Sequence, residues 1–167
     1  MAGLPGTGKS ALARALAART SGRVIGKDEI RLALFTEEEV EYSSRQDDFC
    51  LQIMLETARY LLWRTPNLII FLDGRTFSRR YQIDNILRVA EELRQSWRII
   101  ECVCPDEVVR ERLERAQSEG THPASNRGYK LYLDVRSRFE AIDLPKKVID
   151  TSQALAACVE EGLAALQ

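Results

Sequence analysis

The chain has 167 residues, 45% of them hydrophobic and 29% charged, with 24 Lys+Arg against 25 Asp+Glu and a formal net charge of -1. That length suits one domain over residues 1–167 with an ordinary buried core, and near neutrality argues against a generic nucleic-acid coat while allowing a local basic groove. No run of about 18 apolar residues spans a membrane, Met1–Lys9 lacks a signal pattern, and a lone His122 with no Cys-x-x-Cys pair argues against a zinc site or a Ser-His-Asp site.

In chain order, the Ala/Leu-rich stretch Ser10–Arg19 predicts a helix, Arg23–Gly26 a short strand and Asp28–Phe35 one or two helical turns. Glu37–Trp63 reads as a long helical stretch with a break near Tyr42-Ser43-Ser44. Leu68–Leu72 is a continuous apolar run and predicts a buried strand. Ser78–Gln95 is helical, with Ile83, Ile86, Leu87, Ala90 and Leu93 on one face. Trp97–Cys104 is a second apolar strand, and Pro105–Glu119 is a charged helix opening with proline in its first turn. After the polar loop Gly120–Gly128 come a helix over Tyr129–Ala141, a strand over Lys147–Ile149 and a closing helix over Ser152–Leu166. Cys50, Cys102, Cys104 and Cys158 read as free thiols in a reducing, cytoplasmic setting.

Strands separated by helices imply a parallel sheet with helices on both faces, and ligands beyond the carboxyl ends of the strands. The strongest signal is Gly3-Leu4-Pro5-Gly6-Thr7-Gly8-Lys9-Ser10, a complete G-x-x-x-x-G-K-[ST] phosphate loop. Glycines let successive N–H groups curl around one anion, and the helix that follows adds its positive end. Lys9 brings charge to the β- and γ-phosphates, and the Ser10 hydroxyl is a hard ligand for Mg²⁺. Gly3, Pro5, Gly6, Thr7, Gly8, Lys9 and Ser10 are therefore the expected ATP cradle. Such a loop follows a buried hydrophobic strand, yet only Met1-Ala2 precede Gly3. Either residues precede Met1, or the sheet lacks its middle strand and the protein has low stability.

No Asn-Lys-x-Asp element reads guanine, and Asp73 is followed by Gly74 rather than by the second acid of an ATPase motor. A single acid there fits a small phosphotransferase. Asp28, just after a strand, is placed to take a proton from an attacking hydroxyl, and Arg31 lies on the same helical face. The plainer alternative is that Asp28 caps its helix and Arg31 is solvated. Asp73 would organise Mg²⁺ through water or hold the acceptor, and Arg75, Arg79 and Arg80 form a basic cluster after it. Residues 110–128 read as a lid, an Arg-rich helix followed by a Gly/Pro loop, with Arg115 and Arg127 as lid arginines and Arg112 behind them. Asp150-Thr151-Ser152 is expected near adenine or as the cap of the last helix.

Together Gly3–Ser10, Lys27–Arg31, Leu68–Arg80, Arg110–Arg115 and Val148–Thr151 resemble the small P-loop kinases of the polynucleotide kinase, zeta-toxin and chloramphenicol phosphotransferase group. The resemblance implies an α/β P-loop NTPase fold of nucleoside-monophosphate-kinase type: a three-layer sandwich with a 2-3-1-4-5 parallel sheet, a truncated first strand and a helical lid. It implies transfer of the ATP γ-phosphoryl to a hydroxyl, with Asp28 as base, Lys9 and Ser10 handling phosphate and Mg²⁺, Arg115 as the lid arginine and Arg31 at the acceptor. A small-molecule acceptor is favoured over a 5′-hydroxyl nucleic-acid end by the near-zero net charge and by the lack of an accompanying phosphatase or ligase domain, while the Arg75, Arg79 and Arg80 cluster leans the other way. A non-catalytic ATP-binding switch or partner subunit is the other reading; it would keep Lys9 and Ser10 without needing Asp28.

Overall fold

Short apolar strands bury both faces only when helices cover each side of the sheet. The computed structural model describes residues 1–119 and 128–167, and it has that arrangement. The helices are α1 (Lys9–Thr20), α2 (Lys27–Leu34), α3 (Ser44–Arg64), α4 (Arg80–Glu92), α5 (Asp106–Glu119), α6 (Tyr129–Ser137) and α7 (Leu155–Leu166). The strands are β1 (Arg23–Gly26), β2 (Ile70–Asp73), β3 (Ile100–Val103) and β4 (Lys147–Asp150). Gly120–Arg127, with Arg127 and most of the loop expected in the lid, lie outside the described residues.

β1 pairs parallel with β2, Arg23 opposite Ile70 and Gly26 opposite Asp73. β3 pairs parallel with β4, Ile100 opposite Lys147 and Val103 opposite Asp150. Met1 and Ala2 lie between the two pairs. Ala2 N–H donates to Ile100 O at 2.8 Å and its carbonyl accepts from Cys102 N–H at 2.9 Å, a single parallel bridge to Glu101. The Met1 ammonium donates to Leu72 O at 3.0 Å. With residues 1–2 counted as the first position, the order is the expected 2-3-1-4-5.

Most departures from the sequence reading have a local cause. The break in the long helical stretch is real: Glu37–Glu39 is a 3₁₀ turn, Tyr42 has φ 50°, and Ser43 Oγ caps α3 by accepting from Gln46 N–H. α4 starts at Arg80 rather than Ser78 because Phe77 has φ 54° and Arg79 is extended. α6 stops at Ser137 rather than Ala141, and the Glu140 N–H is drawn away to Ser78 O at 3.0 Å. The last helix begins at Leu155 with Ala154 at its N-cap, so Asp150-Thr151-Ser152 does not cap it. β2 and β3 begin at Ile70 and Ile100, later than the apolar runs that start at Leu68 and Trp97.

One face of the sheet packs Phe71, Ile100, Cys102 and Ile149 against Leu12 and Leu16 of α1 and Cys158 and Val159 of α7. The other face packs Ile25 against Leu51, Met54 and Leu55 of α3 and Val89 of α4. Ala2 joins Phe77, Ile83 and Ile142 in a third cluster. These helices hold the carboxyl ends of the strands in one rim.

α5 and α6 are joined through Asp106, which accepts from Tyr132 Oη–H at 2.6 Å and from the Arg136 guanidinium. Burial and the Asp106 carboxylate push the Tyr132 phenol up to about 12. A raised folded-state value makes the neutral phenol a stabilising group below its unfolded value of about 10, and that stability is lost as pH rises toward 12. Burial also pushes the Cys102 thiol up to about 11, with the same sign over a lower range. Tyr132→Phe is expected to cost about 1 kcal/mol at neutral pH and to flatten the fall of stability between pH 10 and 12, leaving the earlier cysteine-linked fall in place. Urea unfolding at stepped pH measures both; an unchanged alkaline slope would contradict the assignment to Tyr132.

Candidate functional site: a phosphate loop facing a buried ion network

The turn before α1 takes the shape its glycines permit, with Gly3, Gly6 and Gly8 at φ 125°, 80° and 74°. Gly8 is the N-cap of α1. A Cβ there would lie 3.2 Å from Thr151 Oγ1 in a left-handed conformation that side chains avoid. α1 has no side-chain cap and no acid in its first turn, so its N-terminal N–H groups and positive end are not offset by a carboxylate. Lys9 is buried, and its Nζ donates to Leu4 O at 2.6 Å, so the ammonium folds back across the loop. Thr7 Oγ1 also donates to Leu4 O, at 2.8 Å. Pro5 is buried within the turn, and Ser10 follows Lys9 half-exposed. An uncapped helix end, a buried lysine and a hydroxyl in sequence suit a polyphosphate and the hard cation that accompanies it.

Thr151 braces this loop from the end of β4. Its Oγ1 reaches Thr7 O at 2.9 Å and Val103 O at 3.2 Å, and it accepts from Arg112 Nη1 at 3.2 Å. Arg112 Nη2 donates to Thr151 O at 2.7 Å. Thr151 and Arg112 thus lie beside the phosphate loop with their polar groups engaged by each other and by backbone. Arg115 sits on the same helix but is exposed.

The second half of the site lies at the ends of β1 and β2. Gly74 has φ 92°, and its Cα side closes on Lys27, where a Cβ would come within 2.9 Å of Lys27 N and Cβ. That contact brings Asp73 beside Lys27-Asp28. Asp73 is 4% exposed, and its Oδ1 has no hydrogen-bond partner. Its charge is felt at the Met1 amine, which burial pushes down from its ordinary value against the pull of Asp73. Gly3 N–H donates to Thr76 O at 3.2 Å, tying the segment after β2 to the phosphate loop.

Arg31 is 1% exposed and saturated: Nε donates to Gln46 Oε1 at 3.1 Å, Nη1 to Asp28 Oδ1 at 2.9 Å, and Nη2 to Asp47. Its guanidinium also lies 5.1 Å from the Tyr42 ring centroid. Lys27 Nζ donates to Asp47 Oδ1 at 2.6 Å and stands 3.7 Å from Asp28 Oδ1. The plainer expectation for this pair is therefore corrected on both counts. Asp28 lies inside α2, whose N-cap is Gly26, and Arg31 is buried rather than solvated. The sequence reading missed Asp47 and Gln46 and gave Lys27, within the Lys27–Arg31 segment, no role of its own. The signal lay in the acids just after the Ser43 cap, whose partners come from another helix.

Arg75 is 3% exposed; Nη2 pairs with Asp48 Oδ1 at 2.6 Å, while Nε and Nη1 have no partner. Arg79 pairs with Glu140 at 2.7 Å. Arg80 pairs with Asp84 at 2.8 Å and Asp143 at 2.7 Å. The basic cluster expected from Arg75, Arg79 and Arg80 is in fact a set of ion pairs, because α3, α4 and residues 140–143 each bring carboxylates to it.

The family model described as an AAA domain matches residues 1–142. The chain belongs to the AAA domain family. No curated protein matches it significantly. Among solved structures, this AAA domain protein is similar to a candidate kinase from Chloroflexus aurantiacus, at 22% identity and TM-score 0.76, over 99% of this chain and 96% of that one. It is similar to the Mycobacterium tuberculosis APS kinase solved with AMPPNP and APS, at 14% identity and TM-score 0.72, over 99% and 94%. It is also similar to a gluconokinase from Sinorhizobium meliloti, at 18% identity and TM-score 0.68, over 99% and 88%. The fold is that of the small P-loop kinases. Among the described residues no helix is long and apolar enough to cross a membrane.

Proposed function

We propose that the protein is a Mg-ATP-dependent kinase that moves the γ-phosphoryl to a hydroxyl of a small-molecule acceptor. The observation that carries this reading is Asp28. It is a mostly buried carboxylate held by Arg31 and Lys27 at the rim that also holds the phosphate loop. Both cations meet Oδ1, which leaves Oδ2 to accept the proton of an attacking hydroxyl. Arg31 then acts as a positioning residue: it fixes Asp28 through Nη1 and, through Asp47 and Gln46, ties α2 to α3. The buried Asp73 Oδ1, without a hydrogen-bond partner at the end of β2, is the second acceptor, suited to an acceptor hydroxyl or to a water on the cation.

On the nucleotide side, Lys9, Thr7 and the N–H groups from Gly6 to Ser10 would hold the phosphates, with Gly3 and Pro5 shaping the turn and Thr151 and Arg112 bracing it. Ser10 Oγ is the ligand this chain offers to Mg²⁺. Bound there, such an ion would offset the negative charge of the phosphates and so ease attack on the γ-phosphoryl. Arg115 and Arg127 are the proposed sources of lid charge over the transferring group. The reading as a non-catalytic switch leaves the Asp28 network without a use.

The ion pairing of Arg75, Arg79 and Arg80 favours a small acceptor over a nucleic-acid end, because a polyanion would have to break those pairs at each contact. The test is transfer from radiolabelled ATP, with and without Mg²⁺, to polyols, sugar acids, nucleosides and aminoglycosides in parallel with 5′-hydroxyl oligonucleotides. Label on one small-molecule class is the expected result. Label confined to oligonucleotides would reject the acceptor class. Mg-ATP binding with no transfer to any acceptor would favour the switch.

A further inference from the structure

The ion network around Asp28 leaves one buried cation poorly served. Arg75 follows Gly74, and a Cβ on Gly74 would lie 3.4 Å from Asp28 N. Arg75 thus springs from the backbone that closes on the start of α2. Its side chain reaches α3, where successive acids divide the cations of the rim: Asp47 takes Lys27 and Arg31, and Asp48 takes Arg75. The two are served unequally. Arg31 donates to Gln46, Asp28 and Asp47, so each nitrogen of its guanidinium has an acceptor. Arg75 is 3% exposed, yet Nε and Nη1 have no acceptor among the described residues. Its Nη2 lies 2.6 Å from Asp48 Oδ1, but that oxygen accepts no well-directed hydrogen bond, so the pair is a contact of charges without alignment. A buried guanidinium is costly to leave without acceptors. Its planar fork is shaped for two parallel N–H···O bonds to one oxyanion. The Asp48 side chain is 43% exposed, and its Oδ2 stands 3.5 Å from Tyr81 Oη.

We propose, resting on the kinase reading above, that Arg75 is the anchor of the acceptor and that the acceptor is a hydroxy acid. Its carboxylate takes the place of Asp48 on the Nη1–Nη2 edge of Arg75 while its hydroxyl lies at Asp28. Asp48 turns out to water, where Tyr81 Oη already lies beside its other oxygen. Exchanging one carboxylate for another keeps the guanidinium neutralised, and the incoming group satisfies Nη1 as well as Nη2. With Asp48 turned out, Lys27, Arg31 and Arg75 balance Asp28, Asp47 and Asp73. A single added charge therefore fits this rim better than the roughly doubled charge of a phosphate monoester. Arg79 and Arg80 stay in their own pairs, Arg79 with Glu140 and Arg80 with Asp84 and Asp143. One carboxylate thus breaks one badly aligned pair and leaves the well-made ones intact.

The test offers the protein matched acceptors with radiolabelled Mg-ATP: glycerol, glycerate, glyceramide and glycerol phosphate, and sorbitol, gluconate, gluconamide and sorbitol phosphate. The acids are expected to exceed their polyols and amides in kcat/KM by about tenfold to a hundredfold, the usual effect of charge-assisted hydrogen bonds at a buried guanidinium. Arg75→Met should bring that ratio to within about twofold of unity. Asp48→Asn, which removes the competing carboxylate, should instead lower the KM for the acid by about two- to fivefold. A merely structural Arg75–Asp48 pair would move both variants the same way. The unaltered protein and Asp48→Asn carry the comparison even if Arg75→Met fails to fold. Acids used no better than polyols, phosphates preferred to acids, or an acid KM that rises in Asp48→Asn would each overturn the inference and leave the kinase reading standing. Calorimetry with glycerate and gluconate in the presence of Mg-ADP reads the site without turnover. Acid binding that is lost in Arg75→Met, with no transfer to any hydroxyl, would uphold the carboxylate site and remove the kinase reading. Absence of acid binding to the unaltered protein would remove the anchor.

Discussion

Asp28→Asn is expected to lower kcat for phosphoryl transfer by about 10²–10⁴-fold, the usual contribution of a positioned general base. The substitution keeps the shape of the side chain and leaves an oxygen to accept from Arg31 Nη1, now at 2.9 Å. Folding should weaken by about 1–3 kcal/mol, because the buried Arg31 and Lys27 then share the single charge of Asp47, while the KM for ATP should stay within about twofold, since Asp28 is hydrogen-bonded to Arg31 rather than to the phosphate loop. The loss should appear in kcat and kcat/KM together, as for an interaction used only in the transition state. Steady-state kinetics with the acceptor found in the transfer screen, beside nucleotide binding by calorimetry, reads both quantities. Turnover at the original rate would remove Asp28 from the mechanism.

Arg31→Met is expected to destabilise the protein by about 3–5 kcal/mol, the cost of leaving buried carboxylates without their partner. Asp28, Asp47 and Gln46 each lose a donor at once, and only Lys27 beside the two carboxylates and the Glu41 N–H on Gln46 remain. Methionine keeps most of the volume, so the loss reports the ion network rather than a cavity. The melting midpoint should fall by roughly 10 °C. Arg31→Lys should recover only part of it, because an ammonium cannot serve three directions with a planar fork. Thermal and urea unfolding measure this directly. A loss below about 1 kcal/mol would mean that Lys27 alone holds the two aspartates. The fate of Arg31 also separates its two expected roles. Were it an acceptor-binding residue alone, its removal would raise the acceptor KM without moving the melting midpoint.

The phosphate loop was legible because its information is contiguous. Gly3 to Ser10 are neighbours in the chain, and the positive φ values at Gly3, Gly6 and Gly8 are ones their residue type already permits. The order of strands and helices followed from apolar runs for the same local reason. The sheet order needed the resemblance, and its ladder through Met1 and Ala2 needed the structure. Boundaries failed where a distant partner intervened. Glu140 leaves α6 for Ser78.

What the sequence by itself determined is therefore the nucleotide half of the site and the alternation that places it at the strand ends. Both rest on backbone propensities and short-range periodicity, which act within a few residues. The tertiary structure alone decided the electrostatic state of everything else. Arg31 is buried and shared among α2 and α3. Arg75, Arg79 and Arg80 are neutralised by Asp48, Glu140 and Asp143. Thr151 serves as a brace for Thr7. Whether a charge is solvated or paired depends on which side chains the fold brings within about 4 Å, and those partners lie 16, 27, 61 and 63 positions away.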